Sequence, residues 1–284
     1  MGGIMREYKS FYKTVGGNEG SKCCYPTRLD SYGCGCAHNC EYCYARSLLE
    51  FRKLWRPEDP AVADIRKIRR KLDKVEPGTV LRLGGMTDCF QPIEKKYRVT
   101  YQLIQELNRR GIGYLIVTKS AMVADDEYVG IYDPKLCHIQ LTITATDDDK
   151  ALEFEKASRI SDRIKAVEKL QVLGFDVSVR LSPFIPEYID FDVLNGIRCD
   201  KILVEFLRCN GPIRKTFPID YSEYTVKESG YWHLPLEKKK EYLAKVTGFR
   251  EVTVCEDETE AYEYWKANVN PDPDDCCNLR KDDE

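Results

Sequence analysis

Residues 33–46 read GCGCAHNCEYCYAR and contain three cysteines, Cys36, Cys40 and Cys43, in a C-x3-C-x2-C spacing. They follow directly on the first predicted strand, residues 29–35. Thiols this close in the sequence can all turn inward around one metal centre, because few residues separate them. A [4Fe–4S] cluster usually takes four cysteines, so a set of three leaves one iron open to another ligand. The spacing therefore favours an iron–sulfur cluster held by these three thiols.

The same spacing is also compatible with a zinc site or with coincidence. A zinc site would need a fourth ligand, which Cys23, Cys24, Cys34 or His38 could supply. The whole chain has 13 cysteines and only 3 histidines, which argues against a histidine-rich metal site. The first residues lack the apolar run of a secretory signal, so we expect a cytoplasmic protein with reduced thiols rather than disulfides.

The composition is that of an ordinary globular protein, with 284 residues, 43% hydrophobic and 32% charged. No run of about 18 apolar residues occurs, so we expect no membrane span. The net charge of −3 argues against nucleic-acid binding through overall positive charge, although a local basic groove would still allow it. One basic run, residues 67–71, falls on a predicted amphipathic helix and is more simply interpreted as a solvated helix face.

From residue 29 onward, predicted strands alternate with predicted amphipathic helices. The strands are 29–35, 79–85, 113–120, 138–144, 175–183, 200–206 and 251–257. The helices are 45–55, 62–75, 98–110, 160–174, 236–248 and 259–268. This alternation predicts an α/β fold, a partial or complete (β/α) barrel of parallel strands with outer helices, rather than a flat doubly wound sheet. The functional site should then lie at the carboxyl ends of the strands.

We expect three segments along the chain. These are an N-terminal extension over residues 1–28, the barrel domain over 29–268 and an acidic tail over 269–284. The tail contains Cys276 and Cys277. It could share a second metal site with Cys23, Cys24 or Cys34, or it could be a flexible segment with redox-sensitive thiols.

The cysteine spacing, its place after the first strand and Tyr42 before the third cysteine resemble the radical S-adenosylmethionine (radical SAM) superfamily. Residues 36–46 resemble in particular the signature of the branch around spore photoproduct lyase. Four downstream segments resemble that branch in the expected order, GGMTD at 84–88, QPIEK at 91–95, VTKS at 117–120 and SPFIP at 182–186. The likeness spans roughly residues 29–205.

This resemblance implies a radical SAM barrel, a [4Fe–4S] cluster on Cys36, Cys40 and Cys43, and S-adenosylmethionine (SAM) as a cofactor. SAM would chelate the open iron through its amino and carboxylate groups. An electron from the reduced cluster, supplied by a donor such as flavodoxin or ferredoxin, would break the C5′–S bond of SAM. The 5′-deoxyadenosyl radical would then take a hydrogen atom from the substrate.

The resemblance also places cofactor-binding residues at consecutive strand ends. These candidates are Gly84, Gly85, Thr87, Asp88, Lys119, Ser120, Thr144 and Arg180. Several of them also fit simpler structural roles, since Gly84 and Gly85 could form a plain turn and Asp88 could be a helix N-cap. Lys119 could be a solvated strand end.

Other residues at the predicted strand ends near the cofactor site each allow a binding role or a structural role. Thr142 could contact the SAM ribose together with Thr144, although β-branched residues are common in any strand. Arg180 could hold a carboxylate in a two-pronged contact, or it could pair with Glu205 beside Arg208.

Three residues are candidates for hydrogen-atom chemistry, namely Tyr42 and Tyr44 around the third cysteine and Cys89 on the loop after the second strand. In the lyase that this branch is named for, tyrosines at such positions relay a hydrogen atom and a cysteine donates one. The position that best matches the donor cysteine is Gly85 or Met86 here, which puts thymine-dimer repair in doubt. Packing accounts for the tyrosines equally well, and Cys89 could be a small buried hydrophobe.

Three functions fit these observations. The first is a radical SAM enzyme that acts on a nucleic-acid base as a lyase, repair or modifying enzyme. The second is a radical SAM enzyme that modifies a peptide or a small molecule. The third is a non-enzymatic protein that binds a metal through thiolates.

Overall fold

The computed structural model describes residues 8–9 and 11–280. Its strands are, in chain order, β1 (Tyr12–Thr14), β2 (Thr27–Leu29), β3 (Tyr32–Gly33), β4 (Ala61–Val62), β5 (Val80–Leu83), β6 (Gly113–Thr118), β7 (Cys137–Ile143), β8 (Asp176–Phe184), β9 (Lys201–Phe206), β10 (Val226–Glu228), β11 (Tyr231–His233) and β12 (Glu251–Val254). Its helices are α1 (Gly17–Lys22), α2 (Tyr44–Phe51), α3 (Ile65–Leu72), α4 (Glu94–Tyr97), α5 (Val99–Arg110), α6 (Asp126–Val129), α7 (Asp148–Leu152), α8 (Ile160–Val172), α9 (Phe191–Asn195), α10 (Gly211–Thr216), α11 (Leu236–Leu243) and α12 (Thr259–Asn268). None of these helices is long and apolar enough to cross a membrane.

Eight strands form the central sheet, in the order β1-β2-β5-β6-β7-β8-β9-β12. The neighbouring pairs from β2 to β12 are parallel, and β1 runs antiparallel to β2. Within the described residues β1 and β12 do not pair with each other, so the sheet is open on one side. The structure is therefore a partial (β/α) barrel with outer helices. This confirms the predicted fold class in its partial rather than its complete form.

The middle strands are buried on both faces, because helices cover the outside and side chains fill the inside. Every residue of β7 is buried, and in β6 only Val117 is partly exposed. Burial on both faces is typical of parallel strands that helices cover. Helices α5 and α8 pack against the sheet, and α5 ends at Gly111, whose φ of +63° is a left-handed conformation that glycine adopts without strain.

The later predicted strands correspond to β5, β6, β7, β8, β9 and β12. The first predicted strand, residues 29–35, is split in the structure. Its sheet portion is β2, and Tyr32–Gly33 forms β3, which pairs with β4 in a separate two-stranded ribbon. The chain leaves the sheet at Asp30, whose buried carboxylate bonds to backbone amides of the loop after β5 instead of continuing a strand.

Residues 269–280 lie along the open side of the sheet. The side chain of Asn270 forms hydrogen bonds with the backbone N and O of Val254 in β12, at 2.8 and 3.1 Å. On the other side of this segment, the Tyr25 hydroxyl donates to the Asp275 carboxylate at 2.7 Å. The segment therefore fills the gap between β12 and the residues that lead into β2.

Asp176 joins three strands and the C-terminal segment at the amino ends of the strands. Its carboxylate lies 2.6 Å from His138 Nδ1 on β7 and accepts from Lys201 Nζ on β9 at 2.9 Å. It also accepts from the backbone N of Arg280 at 2.7 Å. Burial opposes ionisation, but these hydrogen bonds prevail and lower the pKa of Asp176 to about 2.

We predict that Asp176→Asn lowers the free energy of unfolding by about 2 kcal/mol at neutral pH. Because the pKa of Asp176 is lowered in the folded protein, its carboxylate stabilises the fold fully above pH about 4. This stabilisation is lost as the pH falls towards about 2, and roughly half of it is gone by pH about 3. Urea unfolding of both proteins between pH about 6 and about 3 measures how the difference in their free energies of unfolding decreases. Glu58→Gln, at an exposed carboxyl group, is the control. A gap between wild type and Asp176→Asn that stays constant with pH would contradict the assignment.

Candidate active site

A cavity opens at the carboxyl ends of the strands, beside the cysteine loop that precedes α2. The three motif cysteines line it together with residues 84–88, which follow β5, and with Lys119, which follows β6. The cavity is also lined by Arg180, in the middle of β8, and by Glu205, near the end of β9. The βαβ topology thus brings residues far apart in the sequence to one edge, as the sequence predicted.

Burial raises the pKa of all three motif thiols. For Cys36 the pKa rises to about 12, and the charge of Asp88 adds to the effect of burial. For Cys40 it lies well above the ordinary value. The Lys119 ammonium opposes the rise at Cys40 and Cys43 without cancelling it. Thiolates here therefore require more positive charge than the polypeptide supplies, and a bound metal would provide it.

The spacing of the three sulfurs suits a cluster better than a single ion. The ligand atoms of Cys36, Cys40 and Cys43 do not all lie within 4.8 Å of one another. Thiolates around one zinc ion, with Zn–S bonds of about 2.3 Å, would stand about 3.8 Å apart. His38, an alternative zinc ligand in the sequence, has its Nδ1 at 3.4 Å from the Asp88 carboxylate. The donor set thus fits a cluster that binds one iron per thiol.

The loop after β5 is held by Asp30. Its carboxylate accepts from the backbone N of Gly85 at 2.8 Å, and from those of Met86 and Thr87 at 3.2 and 3.4 Å. Gly84 has a φ of +87°, and a Cβ there would lie 2.8 Å from the Val117 carbonyl oxygen. A side chain at Gly84 would therefore push the loop away from β6, so glycine is required where the loop meets the cavity.

Asp88 ties the end of β5 to the end of β6. Its carboxylate accepts from Thr118 Oγ1 and from the backbone N of Lys119, both at 2.7 Å, and from the backbone N of Phe90 at 2.8 Å. Burial opposes ionisation, but the facing His38 and these donors hold the pKa of Asp88 at about 2. The group is therefore an anion at neutral pH whose oxygens are already engaged by the protein.

A buried ion pair lies behind the cysteine loop. Glu155 pairs with Arg163, both fully buried, and also accepts from the Tyr42 hydroxyl and, at 2.9 Å, from Thr144 Oγ1. Burial works against the charge, but Arg163 and Lys119 keep the pKa of Glu155 below its ordinary value. The pair fixes Tyr42, whose ring also lies 5.5 Å from the Lys119 ammonium.

Arginines on another part of the cavity wall are mostly paired with acids. Arg180 pairs with Glu205, which lowers the pKa of Glu205 to about 2 against the effect of burial. Arg28 pairs with Glu19, and Arg208 lies 3.4 Å from the same Glu19. The sequence left the pairing of Arg180 with Glu205 open, and the structure forms it.

The structure brings most of the predicted site residues together and leaves three aside. Those lining the cavity are Cys36, Cys40, Tyr42, Cys43, Tyr44, Gly84, Gly85, Thr87, Asp88, Lys119 and Arg180, as well as Thr142. Ser120 and Thr144 are buried next to the wall without lining it, and Thr144 is occupied by Glu155. Cys89 is 1% exposed and points elsewhere, with Sγ 3.8 Å from the Leu29 carbonyl oxygen. This position favours packing for Cys89.

Sequence reasoning missed Asp30, Glu155 and Arg163. Arg163 had a usable signal, because it falls on the apolar stripe of α8 with Ile160 and Val167, where a buried cation needs a partner. Nothing in the local sequence distinguishes Asp30 or Glu155 from the many exposed acids of the chain. Their roles depend on contacts between distant segments.

The chain belongs to the radical SAM superfamily, because the family model for the Radical SAM superfamily matches residues 31–196, more than half of its length. Members of this family are enzymes that use a [4Fe–4S] cluster and SAM, and these are the cofactors of this protein. No curated protein sequence matches the chain at a significant level.

Solved structures share the fold at low sequence identity. Spore photoproduct lyase complexed with dinucleoside spore photoproduct is 17% identical, with a TM-score of 0.60, over 81% of this chain and 76% of that one. A cysteine-to-serine variant of that lyase gives a TM-score of 0.62 at 17% identity, over 88% and 80%. Streptococcus suis SuiB bound to S-adenosylmethionine is 15% identical, with a TM-score of 0.52, over 81% of this chain and half of SuiB.

We predict that Cys89→Ala lowers the free energy of unfolding by on the order of 1 kcal/mol, because a packed thiol is lost. Iron content and the amount of 5′-deoxyadenosine formed per product should stay at wild-type values. Urea unfolding and chromatography of the reaction mixture measure these quantities. Cys137→Ala, another fully buried thiol outside the cavity lining, is the matched control. A higher ratio of 5′-deoxyadenosine to product in Cys89→Ala alone would restore the hydrogen-donor role.

Proposed function

We propose that Cys36, Cys40 and Cys43 hold the [4Fe–4S] cluster of this radical SAM enzyme and leave one iron for SAM. One observation carries the proposal. The described residues that line the cavity include three cysteines, and these are the three of the motif. They share the cavity with the loop at 84–88 and with Lys119. The three thiols and the proposed SAM-binding groups thus face one space.

When bound, the cluster and SAM together supply a 5′-deoxyadenosyl radical that removes a hydrogen atom from the substrate. The chain's own part is to hold both cofactors. Lys119 offers a cation to the SAM carboxylate, and the bare backbone at Gly84 and Gly85 allows the SAM ammonium to approach carbonyl oxygens. Asp88 keeps Lys119 in place through its backbone N. Thr144 acts through Glu155 and is a positioning residue in this proposal.

Arg28, Tyr44 and Arg208 support a substrate with a planar group. Arg28 Nη1 lies 3.3 Å from the Tyr44 hydroxyl, and Arg28 Nε is buried without a hydrogen-bond partner. The Arg208 guanidinium lies 5.8 Å from the centre of the Tyr44 ring. Glu19 offsets the charge of both guanidinium groups, whereas their planes and the aromatic ring suit a base. We therefore infer a nucleic-acid base as the substrate, with a peptide or small molecule as the alternative.

The electron in this proposal comes from a small reducing protein such as flavodoxin or ferredoxin. The thirteen cysteines are all unpaired, which suits a reducing compartment such as the cytoplasm. Tyr42 and Tyr44 both line the cavity, so a hydrogen-relay role remains a prediction for each.

The triple variant Cys36→Ala/Cys40→Ala/Cys43→Ala should lose about four irons per chain relative to wild type after anaerobic reconstitution. It should also form no 5′-deoxyadenosine from SAM and dithionite, because no iron is left to bind SAM. Iron analysis and mass spectrometry measure both outcomes. Cys34→Ala is the matched control, since Cys34 is a buried thiol in the same segment that does not line the cavity. An unchanged iron content in the triple variant would refute the ligand assignment.

Substrate class is tested with uniformly deuterated cell extracts. We expect deuterium in 5′-deoxyadenosine when the reconstituted enzyme, SAM and dithionite are incubated with deuterated total nucleic acid, and none with deuterated peptides. Arg28→Gln should reduce this transfer about tenfold or more, which corresponds to the loss of one charge-assisted contact. Deuterium transfer from the peptides and not from the nucleic acid would show that the substrate is a peptide. Wild-type SAM cleavage without substrate shows that the cofactors are loaded.

A further inference from the structure

A second group of thiols lies on the open side of the barrel, outside the cavity. The thiol of Cys276 lies near the thiols of Cys24, Cys255 and Cys277, close enough to interact with each of them. We call these four residues the seam cysteines. Cys23 is a fifth thiol beside them, close enough to interact with Cys255 and Cys277. The proposed first cluster uses none of these residues.

The seam cysteines come from three separate parts of the chain, and each part is held by its own contacts. Cys24 Sγ lies 2.8 Å from the Asp274 carbonyl oxygen. The backbone N of Cys255, directly after β12, donates to the Val204 carbonyl at 2.9 Å. The backbone N of Cys277 donates to Asp275 at 3.0 Å. The thiols are therefore gathered by the fold and not by chance contact of a loose tail.

Cys276 and Cys277 are adjacent in sequence, and neighbouring side chains in an extended strand point in opposite directions. Here they lie in a turn, in which the backbone N of Asn278 donates to the Asp275 carbonyl at 3.1 Å. The turn places both thiols close enough to interact with each other. Both can therefore serve one centre.

Two arginines face this group from the barrel interior. The guanidinium groups of Arg82 and Arg180 lie close enough to interact electrostatically with Cys277. Arg82 Nε is buried and has no hydrogen-bond partner. An iron–sulfur cluster held by four thiolates carries net negative charge, and two guanidinium groups beside it would offset that charge. The Nε–H of Arg82, which has no partner in the protein, thus suits an anionic centre among these thiols.

We propose that the seam cysteines, Cys24, Cys255, Cys276 and Cys277, bind a second [4Fe–4S] cluster. A complete set of four thiolates is the usual ligand number for such a cluster. No three of their sulfur atoms all lie within 4.8 Å of one another, a spacing wider than four thiolates around zinc would adopt. The second cluster would join β12 to the segment before β2 and close the open side of the barrel.

Four proteins test the proposal after anaerobic reconstitution: wild type, Cys276→Ser/Cys277→Ser, the triple variant of the motif cysteines, and the combination of both. We expect about eight irons and eight sulfides per chain in wild type, about four in each partial variant and about none in the combination. The triple variant should still show the Mössbauer doublet of a [4Fe–4S] centre. The triple variant keeps Cys276 and Cys277, so its spectrum remains informative if the variants at these two positions fold poorly.

The iron content of the variants distinguishes the second cluster from the first. Cys199→Ser, a buried thiol whose contacts are backbone carbonyls, is the control and should keep all the iron. About four irons in wild type and none in the triple variant would overturn the second cluster while leaving the first intact. One zinc per chain that disappears in Cys276→Ser/Cys277→Ser would also overturn it. Loss of iron from the tail variant alone, with the motif cysteines unchanged, would support the second cluster whatever the fate of the first.

Discussion

The geometry of the active site depends on one buried carboxylate, that of Asp30. It is 1% exposed, and burial raises its pKa to about 6 although three backbone amides and Arg28 favour the anion. Without it, the amides of Gly85, Met86 and Thr87 would be buried with fewer partners, and each unpaired donor costs about 1–3 kcal/mol. Tyr44, at the start of α2, donates to the Gly85 carbonyl. The position of this loop therefore also sets the position of the helix that follows the cysteines.

Electrostatic balance is a second condition on the cavity. Anions at Asp88 and Glu155 and cations at Arg163 and Arg180 are buried within one region, and the half-buried Glu205 pairs with Arg180 there. Such charges are tolerated because they are paired or hydrogen-bonded, and removing one partner would leave the other uncompensated. The pairs hold tyrosine rings and strand ends in fixed positions. This rigidity suits an enzyme that must confine a reactive radical, since a loose wall would itself offer hydrogen atoms.

Much of the fold was available from the sequence because parallel strands and amphipathic helices leave strong periodic patterns. The motif cysteines, Gly84 and Lys119 could be assigned to one edge for the same reason, since βαβ units place successive strand ends together. Features set by long-range register could not be predicted from the sequence. The strand at 29–35 ends early because Asp30 binds a distant loop, and Cys89 turns away from the cavity although its sequence position suggested otherwise. The division into extension, barrel and tail remains a prediction.

The segment along the open side of the barrel is made by the ribosome after all eight strands of the sheet. During synthesis the interior is therefore reachable from that side until residues 269–280 emerge and settle against β12. Folding during synthesis would therefore leave one side of the barrel interior exposed to water until these residues follow, a dependence that a barrel closed by strand pairing would not have.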